Sequence, residues 1–435
     1  MPIKKVYLGI SIALVLLLCA AQITGSTILI LPCLAAFLVL IGWACSDNFT
    51  LPMLLFFLPW SPILRTTPTG YSFFTFGLVL VCAISIIKKR FRIKKYPIVV
   101  GIALLFFSLL SKVMDGNSLA FDYVAFMMLI VLFPVVKGEW TIKKYDFFQI
   151  VVYFSLGIII AALCALTLGI FPNITKYIRV DSYLTITRRS GFYGDANFYT
   201  AQITAALGGC LTLILKEKKR GRIAFLGIVL ILLLYCGFLS ASKSFVLVSL
   251  CTVSLWIFAI LRMQGRTGLK VTLLVGIGLL AVFVATSAIF GELINIVVTR
   301  FSYSKDLESF TTGRIGLWES YFKEILGNAK IFFFGKGFTN VKVNDRASHN
   351  TVIQSFFQFG FVGVPFLVYW IVSFFRGGFY KGRRKKPCAL ELLIVGVGTF
   401  LPWFAIDAMF FDEFFLLQWY MFSAWQQFRY DGRSD

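Results

Sequence analysis

Apolar residues occur along this chain in long runs that are separated by short polar segments. Runs of about 18 or more apolar residues are typical of transmembrane helices. The pattern predicts fourteen spans, and a count of twelve or thirteen also fits it. They cover residues 6–24, 27–46, 49–63, 72–87, 97–111, 120–136, 147–170, 197–215, 223–239, 244–261, 270–290, 350–375, 389–409 and 411–428. The sequence therefore predicts an all-α polytopic bundle, with residues 1–435 forming a single integral membrane domain.

Two stretches depart from this regular alternation. The run at 49–63 is short and carries Pro52, Pro59 and Pro62, so we expect it to be bent or partly re-entrant. The longest polar stretch, residues 291–349, is predicted to be a loop that contains short helices. We expect no cleavable signal peptide, because the first apolar run lacks a clear small-residue cleavage site and another run follows quickly.

The basic residues are distributed unevenly between the two sides of the predicted membrane. With the amino terminus inside, 27 of the 42 lysines and arginines fall in inward loops and tails, and only 7 fall in the short outer loops. Cytoplasmic loops carry such an excess. The pattern predicts an even number of spans with both termini cytoplasmic. It also attributes the net charge of +22 to topology and lipid contact rather than to nucleic acid.

Composition agrees with this class and limits the chemistry. The chain is 59% hydrophobic, and most of its nine cysteines lie within predicted spans, where cysteine behaves as a small hydrophobe. No CxxC spacing occurs, and the acidic residues form no spaced cluster. We therefore predict neither a metal site nor a cofactor.

Arg188 and Arg189 lie together in a predicted outer loop, against the charge rule. Arginine offers a planar, permanently charged fork that suits phosphate oxygens, so the pair could hold a diphosphate. The alternative is that they pair with Asp181 or Asp195, or with ordinary lipid headgroups.

Two further cations occupy unusual outer positions. Lys243 lies in a tight turn between two spans, where it either contacts an anion or extends along its helix to water. Arg314 opens a predicted amphipathic helix, Gly313 to Leu326, for which Thr311 or Thr312 is the predicted N-cap. A cation in a first helical turn is unfavourable and indicates an external anion. The predicted apolar stripe of that helix, which we interpret as packing, is Ile315, Trp318, Phe322 and Ile325.

His349 is the only histidine, and it precedes the span at 350–375. A single histidine serves structural hydrogen bonding as readily as catalysis. With arginines on the same predicted face, however, a neutral imidazole could deprotonate a sugar hydroxyl while cations stabilise a departing diphosphate. Asn350 stands beside it at the start of the next span.

Three segments on the predicted outer face also carry a family likeness. They are RRSGFYGDANFY (188–199), LSASKSFVLV (239–248), and TGRIGLW followed by GKGF and SHNTVIQSFFQFGFVG (up to residue 363). In this order they resemble the bacterial O-antigen polymerase and O-antigen ligase superfamily of integral membrane glycosyltransferases. The likeness points to Arg188 and Asn197 in the first segment, Lys243 in the second, and Arg314 and His349 in the third.

The resemblance implies metal-independent, inverting glycosyl transfer on the outer face. Donor and acceptor would be undecaprenyl-diphosphate-linked oligosaccharides, and a chain-length regulator or flippase of the same pathway would be a partner. We predict catalytic roles for His349 and Arg314. The predicted substrate-binding residues are Arg188, Arg189, Lys243, Asn197 and Asn350. Two departures are an Asp-Ala-Asn sequence where many relatives have proline before the asparagine, and Lys243 in place of arginine.

Alternatives remain open at this stage. The leading hypothesis is a polysaccharide polymerase of O-antigen or capsule synthesis, which the single histidine favours. A ligase that moves the glycan to lipid A core, cell wall or protein would use the same residues. A flippase or transporter is less consistent with the chain, because no internal repeat is present and few charges lie inside spans.

Overall fold

The computed structural model is a bundle of helices. It describes residues 4–88, 95–115, 121–140, 146–178, 181–183, 186–262, 276–278, 288–302, 306–337, 342–379, 389–409 and 411–430. The predicted all-α fold is confirmed. One small antiparallel ribbon, β1 (Asp181–Tyr183) with β2 (Ile186–Arg188), pairs Asp181 with Arg188.

The helices follow the apolar runs closely. The first half of the chain forms α1 Lys5–Thr24, α2 Thr27–Ser46, α3 Thr50–Phe57, α4 Phe73–Ile87, α5 Lys95–Asp115, α6 Phe121–Trp140, α7 Phe147–Leu168, α8 Pro172–Thr175 and α9 Ala196–Lys216. The second half forms α10 Arg220–Leu239, α11 Lys243–Arg262, α12 Ala288–Ser302, α13 Leu307–Phe310, α14 Arg314–Gly327, α15 Ala329–Phe334, α16 Thr351–Phe379, α17 Ala389–Phe400 and α18 Asp412–Tyr430.

Seven helices within the described residues are long and apolar enough to cross a membrane, namely α1, α2, α7, α9, α10, α11 and the part of α16 up to Ser373. Shorter apolar helical segments lie in α3, α4, α5, α6 and α17. The chain is therefore a multi-pass membrane protein. The predicted span at 270–290 lies largely outside the described residues, so the count of fourteen stays a prediction.

Helix α9 is the centre of the bundle and is buried along its whole apolar window. Small residues such as Ala201, Ala205 and Gly208 allow its neighbours to approach closely, as in other membrane bundles. The Thr204 hydroxyl donates to the Gly398 carbonyl at 2.8 Å, which ties α9 to α17. This central helix begins beside Asp195, so its position fixes where the polar residues before it lie.

Buried polar contacts also attach α9 to the last helix, and the loop before α9 to the turn that follows α3. The Gln202 amide donates to Glu413 Oε1 at 3.0 Å, and both side chains are almost fully buried. Tyr193 Oη donates to the Leu58 carbonyl at 3.0 Å and lies 3.0 Å from Ser61 Oγ. Such contacts satisfy polar groups that would be costly to leave alone in the interior.

Two predicted spans are interrupted rather than continuous. Helix α3 ends at Phe57 and a 3₁₀ turn, Leu58–Trp60, follows with Pro59 in it, as the prolines of that short run predict. The predicted single span at 350–375 is wrong in one respect, because α16 is broken at Gly360, which has φ 64° and ψ −178°. The break divides a short helix, residues 351–359, from the longer apolar part.

The break in α16 is filled by the chain segment that precedes it. The Lys336 amide donates to the Phe357 carbonyl at 2.8 Å, and the Gly337 amide donates to the Gln358 carbonyl at 2.9 Å. These carbonyls would otherwise lack their helical partners. Lys336 and Gly337 of the GKGF sequence therefore cap a broken helix, which fixes the chain directly after α15 to the bundle.

Candidate functional site

The three outer segments singled out in the sequence meet at one end of the bundle. Arg188 Nε donates to the Ser240 carbonyl at 3.2 Å. Ser242 Oγ donates to Asn197 Oδ1 at 2.9 Å, joining the α10–α11 turn to the start of α9. Lys243 Nζ donates to the carbonyls of Ser309 and Phe310, both at 3.2 Å. These contacts hold the loop before α9, the α10–α11 turn and the segment before α14 together.

His349 lies at the centre of this end. Its Nδ1 is 4.0 Å from Asp195 Oδ2, and both side chains are about one-third exposed (30% and 34%). The distance is too long for a hydrogen bond, but the carboxylate is close enough to favour a proton on the ring nitrogen that faces it. Asp195 therefore favours a ring orientation with Nδ1 towards the carboxylate, and Nε2 is the nitrogen left to accept a proton.

The protonation state of His349 follows from burial and from its neighbours. Burial lowers the pKa of the imidazole below its ordinary value of 6.5, and the positive charges of Arg314, Arg346 and Lys342 lower it further. Asp195 opposes this shift. The net direction keeps the ring neutral near pH 7, which is the form that a general base requires.

Arg314 shares these neighbours. Burial lowers the pKa of its guanidinium, Asp195 acts in the opposite direction, and Arg188 and Arg346 lower it as well. Arginine remains charged in proteins despite such shifts. The guanidinium groups of Arg314, Arg188 and Arg346 therefore lie within electrostatic range of one another. Asp195 is the one carboxylate among the groups that shift the pKa of Arg314. Guanidinium groups grouped in this way are of the kind that bind phosphate oxygens.

The backbone adopts left-handed conformations both at His349 and directly before Arg314. His349 has φ 49°, and Thr312 and Gly313 have φ 58° and 77° directly before Arg314. Left-handed backbone in residues other than glycine is uncommon and clusters at functional sites. Here it turns both side chains toward the same region.

Helix α14 holds the loop that carries Arg346 and His349. Trp318 Nε1 donates to the Ser348 carbonyl at 2.9 Å, and Tyr321 Oη donates to the Arg346 carbonyl at 3.0 Å. The ring of Tyr321 also packs edge-on against Phe357 with centroids 4.9 Å apart. Helix α14 therefore positions the loop that carries His349, the histidine loop, next to Arg314, which is the first residue of the helix.

Details of the α14 prediction need correction. The N-cap is Gly313 rather than Thr311 or Thr312, and it makes no side-chain cap bond. The carboxylate of Glu308 takes over this role by accepting from the Gly316 amide at 3.2 Å. The buried face consists of Leu317, Tyr321 and Ile325, whereas Phe322 is exposed. Tertiary packing against α16 selects Tyr321 over its neighbour Phe322, and helical spacing alone does not separate them.

Arg188 and Arg189 point to different places. Successive residues of an extended strand face opposite sides, and Arg188 is the last residue of β2. Arg189 is exposed, and it borders a cleft of about 240 Å³ lined mainly by apolar residues of α7, α9 and α10. The structure therefore separates the two arginines that the sequence placed together.

Lys243 and Asn350 have structural partners. Besides the two carbonyls, the Lys243 ammonium lies over the rings of Phe310 and Phe301, at 5.4 Å and 5.8 Å from their centroids. It is not among the charges that act on Arg314 or His349. Asn350 Oδ1 accepts from the amides of Val352 and Ile353, so it caps the broken helix. These contacts fix both residues beside the site, and their predicted substrate-binding roles stay predictions.

Three residues of the site did not stand out in the sequence. Asp195 appeared only as one of several acids, and Arg346 and Lys342 were not considered. Arg346 does carry a usable signal, because it lies three residues before His349 in a loop predicted to be outer, where the charge rule disfavours arginine. Asp195 is recognisable as the N-cap of α9, since its carboxylate accepts from the Asn197 amide at 2.7 Å.

Among the described residues, no group of three or more histidine, cysteine or acidic side chains could hold a metal ion. The fold and the site define a multi-pass membrane protein with a cationic, histidine-containing site at one end of its bundle. No protein-family model matches the chain, and no curated protein matches it. The likeness to the O-antigen superfamily therefore rests on the local motifs alone.

Proposed function

We propose that the chain is a membrane glycosyltransferase that polymerises lipid-diphosphate-linked sugar repeat units on the outer face of the bacterial cytoplasmic membrane. The observation that carries this proposal is the grouping of His349, Asp195, Arg188 and Arg314 at one end of the bundle. It combines a neutral base with a group of arginines, which suits a hydroxyl acceptor and a diphosphate leaving group.

The proposed reaction is a direct displacement at the anomeric carbon of the donor. The Nε2 atom of His349 takes the proton of an acceptor sugar hydroxyl, and the oxygen forms a bond to the anomeric carbon. The bond from that carbon to the diphosphate oxygen breaks, and the electron pair leaves with the lipid diphosphate. Attack opposite the leaving group inverts the anomeric configuration.

The arginines act on the leaving group in this mechanism. In the proposed mechanism Arg314 and Arg188 offset the charge that develops on the diphosphate oxygens, and Arg346, whose charge also acts on Arg314, adds a third positive charge. Each such contact strengthens as the bond breaks, so it stabilises the transition state more than the bound substrate. Asp195 holds the imidazole and stabilises it once it carries the proton.

The test is complementation of cells that lack this chain, with glycan length on the lipid carrier as the readout. Wild type restores long polysaccharide, and His349→Ala leaves single repeat units, a loss of at least about 100-fold in polymer. Lys218→Ala, an exposed position at the opposite end of the bundle, is the matched control and behaves as wild type. Membrane abundance of each variant is measured in the same cells.

Other outcomes separate the remaining hypotheses. If cells without the chain accumulate full-length polymer on the lipid carrier that does not reach its final acceptor, the chain is a ligase rather than a polymerase. Repeat units that stay on the inner leaflet indicate a flippase. Wild-type polymer made by His349→Ala at normal abundance overturns the assignment of the base.

A further inference from the structure

A cleft on the outer side of the loop region lies apart from the histidine. It has a volume of about 390 Å³ and lies between α14, α15 and the segment that caps α16. Lys323, Lys330 and Lys336 line it, together with one acid, Glu324. Lys336 is paired with Glu324. The lining thus carries two more positive than negative side chains, which favours an anion.

The same two helices expose large apolar side chains next to these lysines. Phe322 and Leu326 of α14 are 47% and 69% exposed, and Phe333 and Phe334 of α15 are 45% and 42% exposed. Apolar side chains beside lysines are typical of elements that lie in the headgroup region of a bilayer, with rings among the acyl chains and ammonium groups at the phosphates.

The exposed side chains continue into a surface that faces lipid. Phe332 of α15 stacks on Phe361 with ring centroids 5.8 Å apart and planes 4° apart. Phe361 begins the long apolar part of α16 and is 58% exposed, and Val368 and Val372 are exposed further along it. The apolar face of α15 is therefore contiguous with that of a membrane-spanning helix.

From these observations we infer that the hairpin of α14 and α15 docks on the bilayer surface and that its lysine cleft binds the phosphate of an anionic lipid headgroup. Phe322, Leu326, Phe333 and Phe334 enter the interfacial layer. Lys323 and Lys330 contact the phosphate, and Lys336 completes the cleft. This inference does not depend on the glycosyltransferase proposal, because it requires only that the chain spans a membrane.

Docking of this kind places the histidine loop at a defined height above the lipid. Trp318 and Tyr321 of α14 hold the Ser348 and Arg346 carbonyls. A hairpin seated at the headgroups therefore fixes the depth of the neighbouring site. A lipid-linked substrate would meet the site at the level of its own phosphates.

The experiment uses the full-length protein in nanodiscs of phosphatidylcholine with a minor fraction of phosphatidylglycerol. A photo-crosslinking p-benzoylphenylalanine replaces Phe333, and mass spectrometry identifies the adducts. We expect lipid adducts in which phosphatidylglycerol exceeds its share of the bilayer by about three-fold or more, since each basic side chain near the surface attracts anionic lipid. The same probe at Leu250, an exposed position within α11, reports the bilayer ratio.

A second variant isolates the lysines from the apolar contacts. In Lys323→Gln/Lys330→Gln, lipid adducts at Phe333 persist but their composition returns to the bilayer ratio. Unchanged enrichment in this variant overturns the headgroup site. Adducts to a second copy of the chain, or no adducts at all, overturn the docking. A probe at Asp345, which is exposed on the polar return of the loop, yields no lipid adduct if docking is confined to the hairpin.

Discussion

At the scale of single residues, the site depends on which way neighbouring side chains point. Arg188 and Arg189 are adjacent, equally charged and predicted to lie on the same face, yet only Arg188 acts electrostatically on Arg314. Arg189 instead borders the apolar cleft beside α7. The direction of each side chain, rather than its charge, makes the difference.

The two arginines therefore form a matched pair for mutagenesis. Arg188→Gln is expected to lower transfer by about 100-fold, the usual effect of removing one donor to a developing negative charge. Arg189→Gln is expected to retain most activity. Turnover of a purified lipid-linked repeat unit by each variant measures this directly. Equal losses in both variants would contradict the separation seen in the structure.

The pH profile tests the environment of His349. The rate rises with pH as the imidazole loses its proton, and the lowered pKa places this acid limb below that of an ordinary histidine. Asp195→Asn removes the charge that raises the pKa, so the limb moves to lower pH. Arg346→Gln removes a charge that lowers it, so the limb moves to higher pH. Rate measurements from pH 5 to 8 on both variants check the two opposite directions, and shifts of the same sign would refute the assignment.

Sequence reasoning reached part of this site and missed part of it for a definable reason. Arg314 and His349 stand out because a cation in a first helical turn and a single histidine before a span are local signals. The interaction of Asp195 with both residues is set by tertiary packing of three separate segments. Nothing in the spacing along the chain encodes it.

At the scale of elements, the broken helix α16 determines how the outer loop is attached. Gly335 and Gly360 meet at the break with φ 71° and 64°, and a side chain on either would overlap backbone of the other segment. The apolar run at 350–375 predicted a continuous helix, because hydropathy measures burial and is insensitive to a single turn of backbone. The hydropathy pattern therefore does not predict the break at Gly360.

Substitution at the break tests this element. Gly360→Ala is expected to destabilise the protein by roughly 2 kcal/mol or more, since it adds left-handed strain to a steric overlap. Gly327→Ala, at the end of α14 with open space around it, is the control and should be neutral or slightly stabilising. Thermal unfolding in detergent compares the two. A Tm for Gly360→Ala equal to that of wild type would show that the break is not required.

At the scale of the whole molecule, the two ends of the bundle carry different sets of basic residues. Lys4, Lys88 and Lys216 contact Asp47, Ser46 and Glu391, respectively, at the end opposite the histidine. Arg188, Arg314 and Arg346 lie at the other end. This division agrees with the charge asymmetry of the sequence, and the arginines of the site are among the exceptions to the predicted inward rule.

Accessibility of introduced cysteines tests the orientation. In a background with Cys251 and Cys388 replaced by serine, Asp345→Cys should react with a membrane-impermeant maleimide in intact cells. Lys218→Cys should react only after the membrane is permeabilised. Both positions lie outside the helices, and Cys251 is the exposed cysteine among those described. The reverse pattern would invert the predicted topology.

The anchoring of Thr351 has a consequence for biosynthesis. Its hydroxyl donates to the Ile406 carbonyl at 2.9 Å and accepts from the Ala408 amide at 2.9 Å, just beyond His349. A ribosome that has translated as far as the histidine has not yet made either partner. The two Thr351 contacts therefore form only after residues 406–408 have been made, so a nascent chain holds every side chain of the site before it holds this anchor.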